Sequence, residues 1–191
     1  LVGWTAHGTR PEFTFVTGTS TGALIAPFAF LGPKYDALLR KLYTEVSTAD
    51  LIERRGLLDI LRNDSAASSD PLRRLLERYI DDAIVAELAE QHRRGRSLHI
   101  GTTNLDAARP VTWNVTRIAA SGSPRARTLI LDILLASASI PGVFPPVMIE
   151  VEADGRRFEE MHVDGGVTSQ VFVYPMGLDW NLVRERLAVD G

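Results

Sequence analysis

The stretch FTFVTGTSTGALIAPFAF, residues 13–30, places a short apolar run of β character before the pentapeptide Gly18-Thr19-Ser20-Thr21-Gly22 and an apolar, helix-compatible run after it. Strand, glycine-flanked turn and helix form the setting that lifts a serine clear of a sheet as a nucleophile. The competing reading is a serine in a tight loop. The strand and helix on either side favour the nucleophile.

Upstream, residues 1–6 read as the end of a helix, His7-Gly8 as its stop and Arg10-Pro11 as the link to the strand. The chain opens on Leu1 in mid-helix, so further sequence is expected before it. Downstream, a helix over 23–31 should end before Gly32-Pro33, where both residues oppose continuation. Residues 35–62 keep a helical rhythm with a break near Gly56, and 63–69 form a polar loop. Asp70-Pro71 then opens a helix as N-cap and first-turn proline. Its Leu72, Leu75, Leu76, Tyr79 and Ile80 share one face, which reads as core packing rather than as a lipid-binding stripe.

Residues 98–103 predict a buried strand, 106–110 a turn and 111–115 a second strand. A loop at 121–124 precedes a helix over 128–138, stopped by Pro141-Gly142. Alternating runs at 147–151 and 157–163 flank Asp154-Gly155, a hairpin signal. A short amphipathic helix over 179–189 closes the chain, and the alternating order leads us to expect a further strand after it. The whole predicts an α/β protein with a mostly parallel sheet covered on both faces, its reactive site at the carboxyl ends of the strands.

A chain of 191 residues suits one domain, burying about 70% of the surface it exposes when unfolded. Its net charge of −3 offers no electrostatic reason to bind nucleic acid. Having no cysteine, it has no disulfide framework and no thiolate nucleophile, and cysteine-ligated zinc is excluded. No clustered metal ligands stand out, and neither a metal nor an organic cofactor is expected. No apolar run reaches the roughly 18 residues of a membrane-spanning helix.

Ser20 needs a base. The histidines are His7, His92, His99 and His162, and only His162, with Asp132 or Asp106 as its carboxylate, could complete a Ser-Asp-His triad in the α/β-hydrolase order. The other candidate is Asp164 in MHVDGGVTSQ, just past a predicted strand and followed by Gly165-Gly166, which clear space for an approaching backbone or acyl chain. A carboxylate is a weak base in water and a better one in an apolar surround. The segment ASASIPGVFPPV, residues 136–147, could supply that surround.

GTSTG at 18–22, IGTTNLDAARPVTWN at 100–114, ASASIPGVFPPV and DGG at 164–166, in that order, make the chain resemble the patatin-like phospholipase family from Phe13 onward. The resemblance implies a three-layer α/β/α fold and hydrolysis of lipid acyl esters: phospholipids, lysophospholipids or neutral esters. Ser20 would attack the ester carbonyl, Asp164 would take its proton, Thr21 would offer its backbone N–H to the oxyanion, and His162 would be a bystander. Gly18, Gly22, Gly165 and Gly166 would be the motif glycines. The family's glycine-rich oxyanion loop is not matched, since Gly3 alone cannot stand for it, and is expected upstream of Leu1. A lipid substrate implies transient contact with a membrane or micelle surface, in a bacterial-type protein that is cytoplasmic or peripheral. Val143, Phe144, Val147 and the helices of residues 35–62 are candidates to border an acyl channel. The rival reading is a catalytically silent lipid-binding or protein-binding module on the same fold.

Overall fold

A computed structural model describes residues 1–45, 53–54 and 67–168 of the chain. The expected loop at 63–69 lies largely outside these, as do the helix over 179–189 and most of the helical rhythm beyond residue 45, where the two described residues, 53–54, pair as a strand instead. The apolar run after the serine forms α2, Thr21–Leu31, preceded by α1, Val2–Ala6, and β1, Phe15–Gly18. Nearly all of α2 is apolar, and Ala23, Ala26, Pro27, Phe28, Ala29 and Phe30 are buried. A helix apolar all round belongs in the interior. Gly32, at φ 105°, ends it in a conformation that favours glycine.

After a 3₁₀ turn at Pro33–Tyr35 comes α3, Asp36–Glu45. The two-residue strands β2, Glu53–Arg54, and β3, Ala67–Ser68, pair antiparallel. Helix α4, Asp70–Tyr79, begins one residue earlier than the Asp-Pro signal suggests. Its N-cap is Ser69, Asp70 being the first helical residue, and the Ser68 hydroxyl accepts the Asp70 N–H at 3.1 Å. On the predicted stripe Leu72, Leu76 and Ile80 are buried, with Leu75 and Tyr79 packed against them. Helix α5, Asp82–Arg93, had no counterpart in the sequence reading; the Asp81 carboxylate caps it by accepting the Ile84 N–H at 2.9 Å.

Strand β4, Ser97–Asn104, continues through a tight turn into β5, Arg109–Asn114. Val115 belongs to the next helix, α6, Val115–Ala119, and not to the strand. The Asn114 side chain accepts the Arg117 N–H at 2.9 Å and starts a helix there. Helix α7, Ala126–Ser137, precedes β6, Val147–Ala153, and β7, Arg156–Asp164. Asp154 and Gly155 take φ of 52° and 70°, as a two-residue hairpin turn of type I′ requires.

Strands β1, β4, β5, β6 and β7 form one five-stranded mixed sheet, with β2 and β3 a separate pair. Among the described residues the β1–β4 pairing is the parallel one; β4–β5, β4–β7 and β6–β7 are antiparallel. The described sheet is therefore less parallel than the alternating order suggests. Two of its pairings are hairpins, and a hairpin forces its strands antiparallel. Strand registers put Val16, Leu98, Ile100, Trp113, Val147, Ile149 and Val151 on one face, and all belong to the core shared with α2, α4, α5, α6 and α7. Of the expected three layers, the described core thus joins two, the sheet and one layer of helices.

The registers also bring two strand ends together. Strand β5 occupies one edge of β4 from His99 to Asn104. The other edge is shared by β1, ending with Gly18 opposite Ile100, and β7, ending with Asp164 opposite Thr102. One strand is parallel to β4 and the other antiparallel, so their carboxyl ends point at each other across Gly101.

Candidate active site

Ser20 lies two residues past the end of β1 and serves as N-cap of α2, at φ 56° and ψ −131°. A non-glycine residue in such a conformation costs roughly 1–3 kcal/mol, which the surroundings must outweigh. Two turn hydrogen bonds close the bend: the Gly22 N–H donates to the Thr19 carbonyl and the Ala23 N–H to that of Ser20, each at 2.9 Å. The result is a sharp elbow with the hydroxyl at the positive end of a helix.

Asp164 is the last residue of β7 and is 6% exposed. Its Oδ2 accepts the Ser20 hydroxyl at 2.5 Å, within the range of a charge-assisted O–H···O bond. Its Oδ1 accepts the Gly166 N–H at 2.7 Å, and its own N–H donates to the Ser139 carbonyl at 2.9 Å. The carboxylate is thus fixed at both oxygens and at the backbone. The 136–147 segment reaches it through Ser139; within that segment Phe144 and Val147 are buried, Val143 partly so.

The motif glycines differ in what they do. A Cβ on Gly18 would stand 2.7 Å from the Gly22 carbonyl oxygen and 2.9 Å from the Ala26 Cβ, so this glycine lets α2 cross close over β1. A Cβ on Gly165 would meet the Gly101 oxygen at 2.6 Å and the Thr19 Cγ2 at 2.9 Å, so Gly165 lets the Asp164 turn seat against the elbow. On Gly166 a Cβ would touch the Asp164 Oδ1 at 3.0 Å. Around Gly22 no described atom lies within 4 Å of that position. Thr21 is the first residue of α2, at the helix's amino end.

His162 is directed elsewhere. Fully buried, it meets the Thr102 hydroxyl at 3.0 Å through Nδ1 and the Glu160 carboxylate at 3.3 Å through Nε2. The Trp113 indole N–H donates to the same hydroxyl at 2.8 Å. The arrangement that pairs every buried proton has Thr102 donating to Nδ1, with the imidazole proton on Nε2 facing Glu160. Burial pushes the His162 pKa below its ordinary value despite the Glu160 carboxylate. Neither proposed triad carboxylate bonds it: Asp132 is paired with Arg73 at 2.6 Å, and Asp106 accepts the Met161 N–H at 2.7 Å.

Ser137, Ser139 and the Gly101 carbonyl were not among the candidates read from sequence. The signal available was two serines, fully buried as it turns out, in an otherwise apolar helix end. Ser137 Oγ accepts the Ser20 N–H at 3.1 Å and donates to the Gly101 carbonyl at 2.7 Å. Among the described residues no group of three or more histidines and carboxylates is placed to hold a metal, and no helix is long and apolar enough to cross a membrane.

A search of curated proteins finds no match. The family model described as patatin-like phospholipase matches residues 2–176, which include both strand ends, the elbow and the Asp-Gly-Gly turn. By that match across most of its length, the chain belongs to the patatin-like phospholipase family, a family of lipid acyl hydrolases.

Proposed function

We propose that this protein, as a single catalytic domain, hydrolyses lipid acyl esters with Ser20 as nucleophile and Asp164 as its only base. The observation that carries the reading is the 2.5 Å hydrogen bond between these side chains, made by a serine held at positive φ. As Ser20 Oγ attacks the ester carbonyl carbon, its proton passes to Asp164 Oδ2. The carbonyl oxygen becomes an oxyanion beside the Thr21 N–H and the amino end of α2. When the tetrahedral centre collapses, the bond to the leaving alcohol breaks and Asp164 returns the proton to that oxygen. Water then attacks the acyl-enzyme, giving its proton to Asp164, and a free fatty acid leaves as Ser20 recovers its hydrogen. No step calls on a cofactor.

Ile140 and Val167 support contact with a membrane or micelle. Each is about half exposed and lies next to a residue that fixes the dyad, Ile140 after Ser139 and Val167 after Gly166. Apolar residues at the mouth of a site for lipid would lower the cost of drawing an acyl chain out of an aggregate.

The test compares Asp164→Asn with His162→Asn on a p-nitrophenyl acyl ester and on phospholipid vesicles, both variants shown to be folded by circular dichroism. Asparagine keeps the size and the Oδ1 acceptor of Asp164 but cannot take a proton. Loss of the base should lower kcat about 10²- to 10⁴-fold, while His162→Asn should stay within a few-fold of the native enzyme. The reverse pattern would restore the triad, and a folded native protein that binds vesicles yet hydrolyses neither substrate would point to a silent lipid-binding module.

A further inference from the structure

We propose that Ser137 is a positioning residue of the nucleophile elbow, holding Ser20 at its reactive geometry through the Ser20 backbone N–H; the inference rests on the Ser20–Asp164 reading above. The elbow's two turn hydrogen bonds use the carbonyls of Thr19 and Ser20 and the amides of Gly22 and Ala23. Neither of them uses the Ser20 N–H. Its acceptor is the Ser137 hydroxyl, 117 residues away in sequence and 0% exposed, so no water stands ready to replace it.

A serine hydroxyl has one proton and two lone pairs. The Ser137 proton goes to the Gly101 carbonyl and a lone pair receives the Ser20 N–H, giving a directed chain from Ser20 through Ser137 to Gly101. Gly101 is the β4 residue facing the gap between the ends of β1 and β7. Gly165 packs so closely on the same carbonyl that a Cβ would lie 2.6 Å from its oxygen. Both halves of the dyad are therefore referenced to one peptide group, Ser20 by a hydrogen bond through Ser137 and Asp164 by the contact of the residue after it. Removing the Ser137 hydroxyl leaves a buried N–H and a buried carbonyl unpaired and frees the strained elbow to relax. A displacement of about 1 Å at a reacting atom is enough to cost on the order of 100-fold in rate.

The experiment measures the second-order rate of phosphonylation by a fluorophosphonate, and kcat and KM on a p-nitrophenyl ester, for the native protein, Ser20→Ala, Ser137→Ala and Thr116→Val. Thr116 is a matched control: fully buried, its hydroxyl accepts the Leu98 N–H and donates to Asn114, with no link to the elbow. Ser137→Ala is expected to slow phosphonylation and kcat together by about 10- to 100-fold with KM within threefold, whereas folded Thr116→Val reacts at the native rate. A folded Ser137→Ala with native rates, or one slowed no more than Thr116→Val, overturns the inference and leaves the dyad reading standing. If Ser137→Ala does not fold, Ser137→Cys, close in size but a poor donor and acceptor, decides in the same way. A native protein that is not labelled, or is still labelled in Ser20→Ala, removes the dyad reading and this inference with it.

Discussion

Ser20 shows how much of the site a sequence reveals and where it stops. Its pentapeptide, and the Asp-Gly-Gly turn 144 residues later, are visible as motifs because glycine and serine at those spacings have steric meaning. The Ser137 contact is not visible, since nothing local to an apolar helix end says which backbone amide its hydroxyl will meet. Nor does sequence separate the glycines, although the structure does. Gly165→Ala, which would press a methyl against the Gly101 oxygen, should lower stability by about 1–3 kcal/mol in urea denaturation and displace Asp164 from Ser20. Gly22→Ala meets no described atom and adds a better helix former, so it should leave stability unchanged or raise it by up to about 1 kcal/mol. Equal losses in the two variants would contradict this division of roles.

Among elements, those bounded by strong local chemistry match expectation best. The Asp154-Gly155 hairpin and the apolar stripe of α4 are examples, because turn geometry and helical period act within a few residues. Leu76, buried at 7% exposure on that stripe, should cost about 2–5 kcal/mol when cut to alanine, and half-buried Leu75 clearly less; thermal or urea melts of the two variants measure the difference. Helix α5 was legible in principle, with Asp81 as cap, Asp82 in the first turn, and His92 and Arg93 in the last. Val115 was misplaced because β-branched residues suit a strand, and the Asn114 cap overrides that preference. Strand direction was the hardest to read. That β1 and β7 share one edge of β4, end facing end, depends on pairings between segments far apart in the chain, and this arrangement is what brings the two motifs together.

The molecule as a whole should respond to acid through two buried histidines that stand apart from the Ser20–Asp164 hydrogen bond. His99, tilted against the Phe15 ring with its Nδ1 unpaired among the described residues, has its pKa pushed down by burial, as has His162. The unfolded chain takes up a proton at each near pH 6.5 while the folded protein resists it. Stability should therefore fall as pH drops below about 6.5, by at most about 1.4 kcal/mol per pH unit for each histidine, until the folded-state values are passed. At lower pH, Asp36 acts in the same direction. Burial raises its pKa, but hydrogen bonds from Thr5 and Arg10 hold it below the ordinary carboxylate value, so its contribution is lost as that carboxylate protonates. Urea melts between pH 7.5 and 5 should show the decline, and His99→Gln and His162→Gln should each flatten it. A pH-independent midpoint across that range would contradict the burial argument.

Whether Ser20 is a nucleophile activated by Asp164 is tested most directly by intact-mass labelling of the native protein with a fluorophosphonate, beside folded Ser20→Ala and Asp164→Asn. One adduct on the native protein, absent from Ser20→Ala and strongly slowed in Asp164→Asn, is the expected result. A folded native protein that takes no adduct, or an adduct that survives in Ser20→Ala, would contradict it.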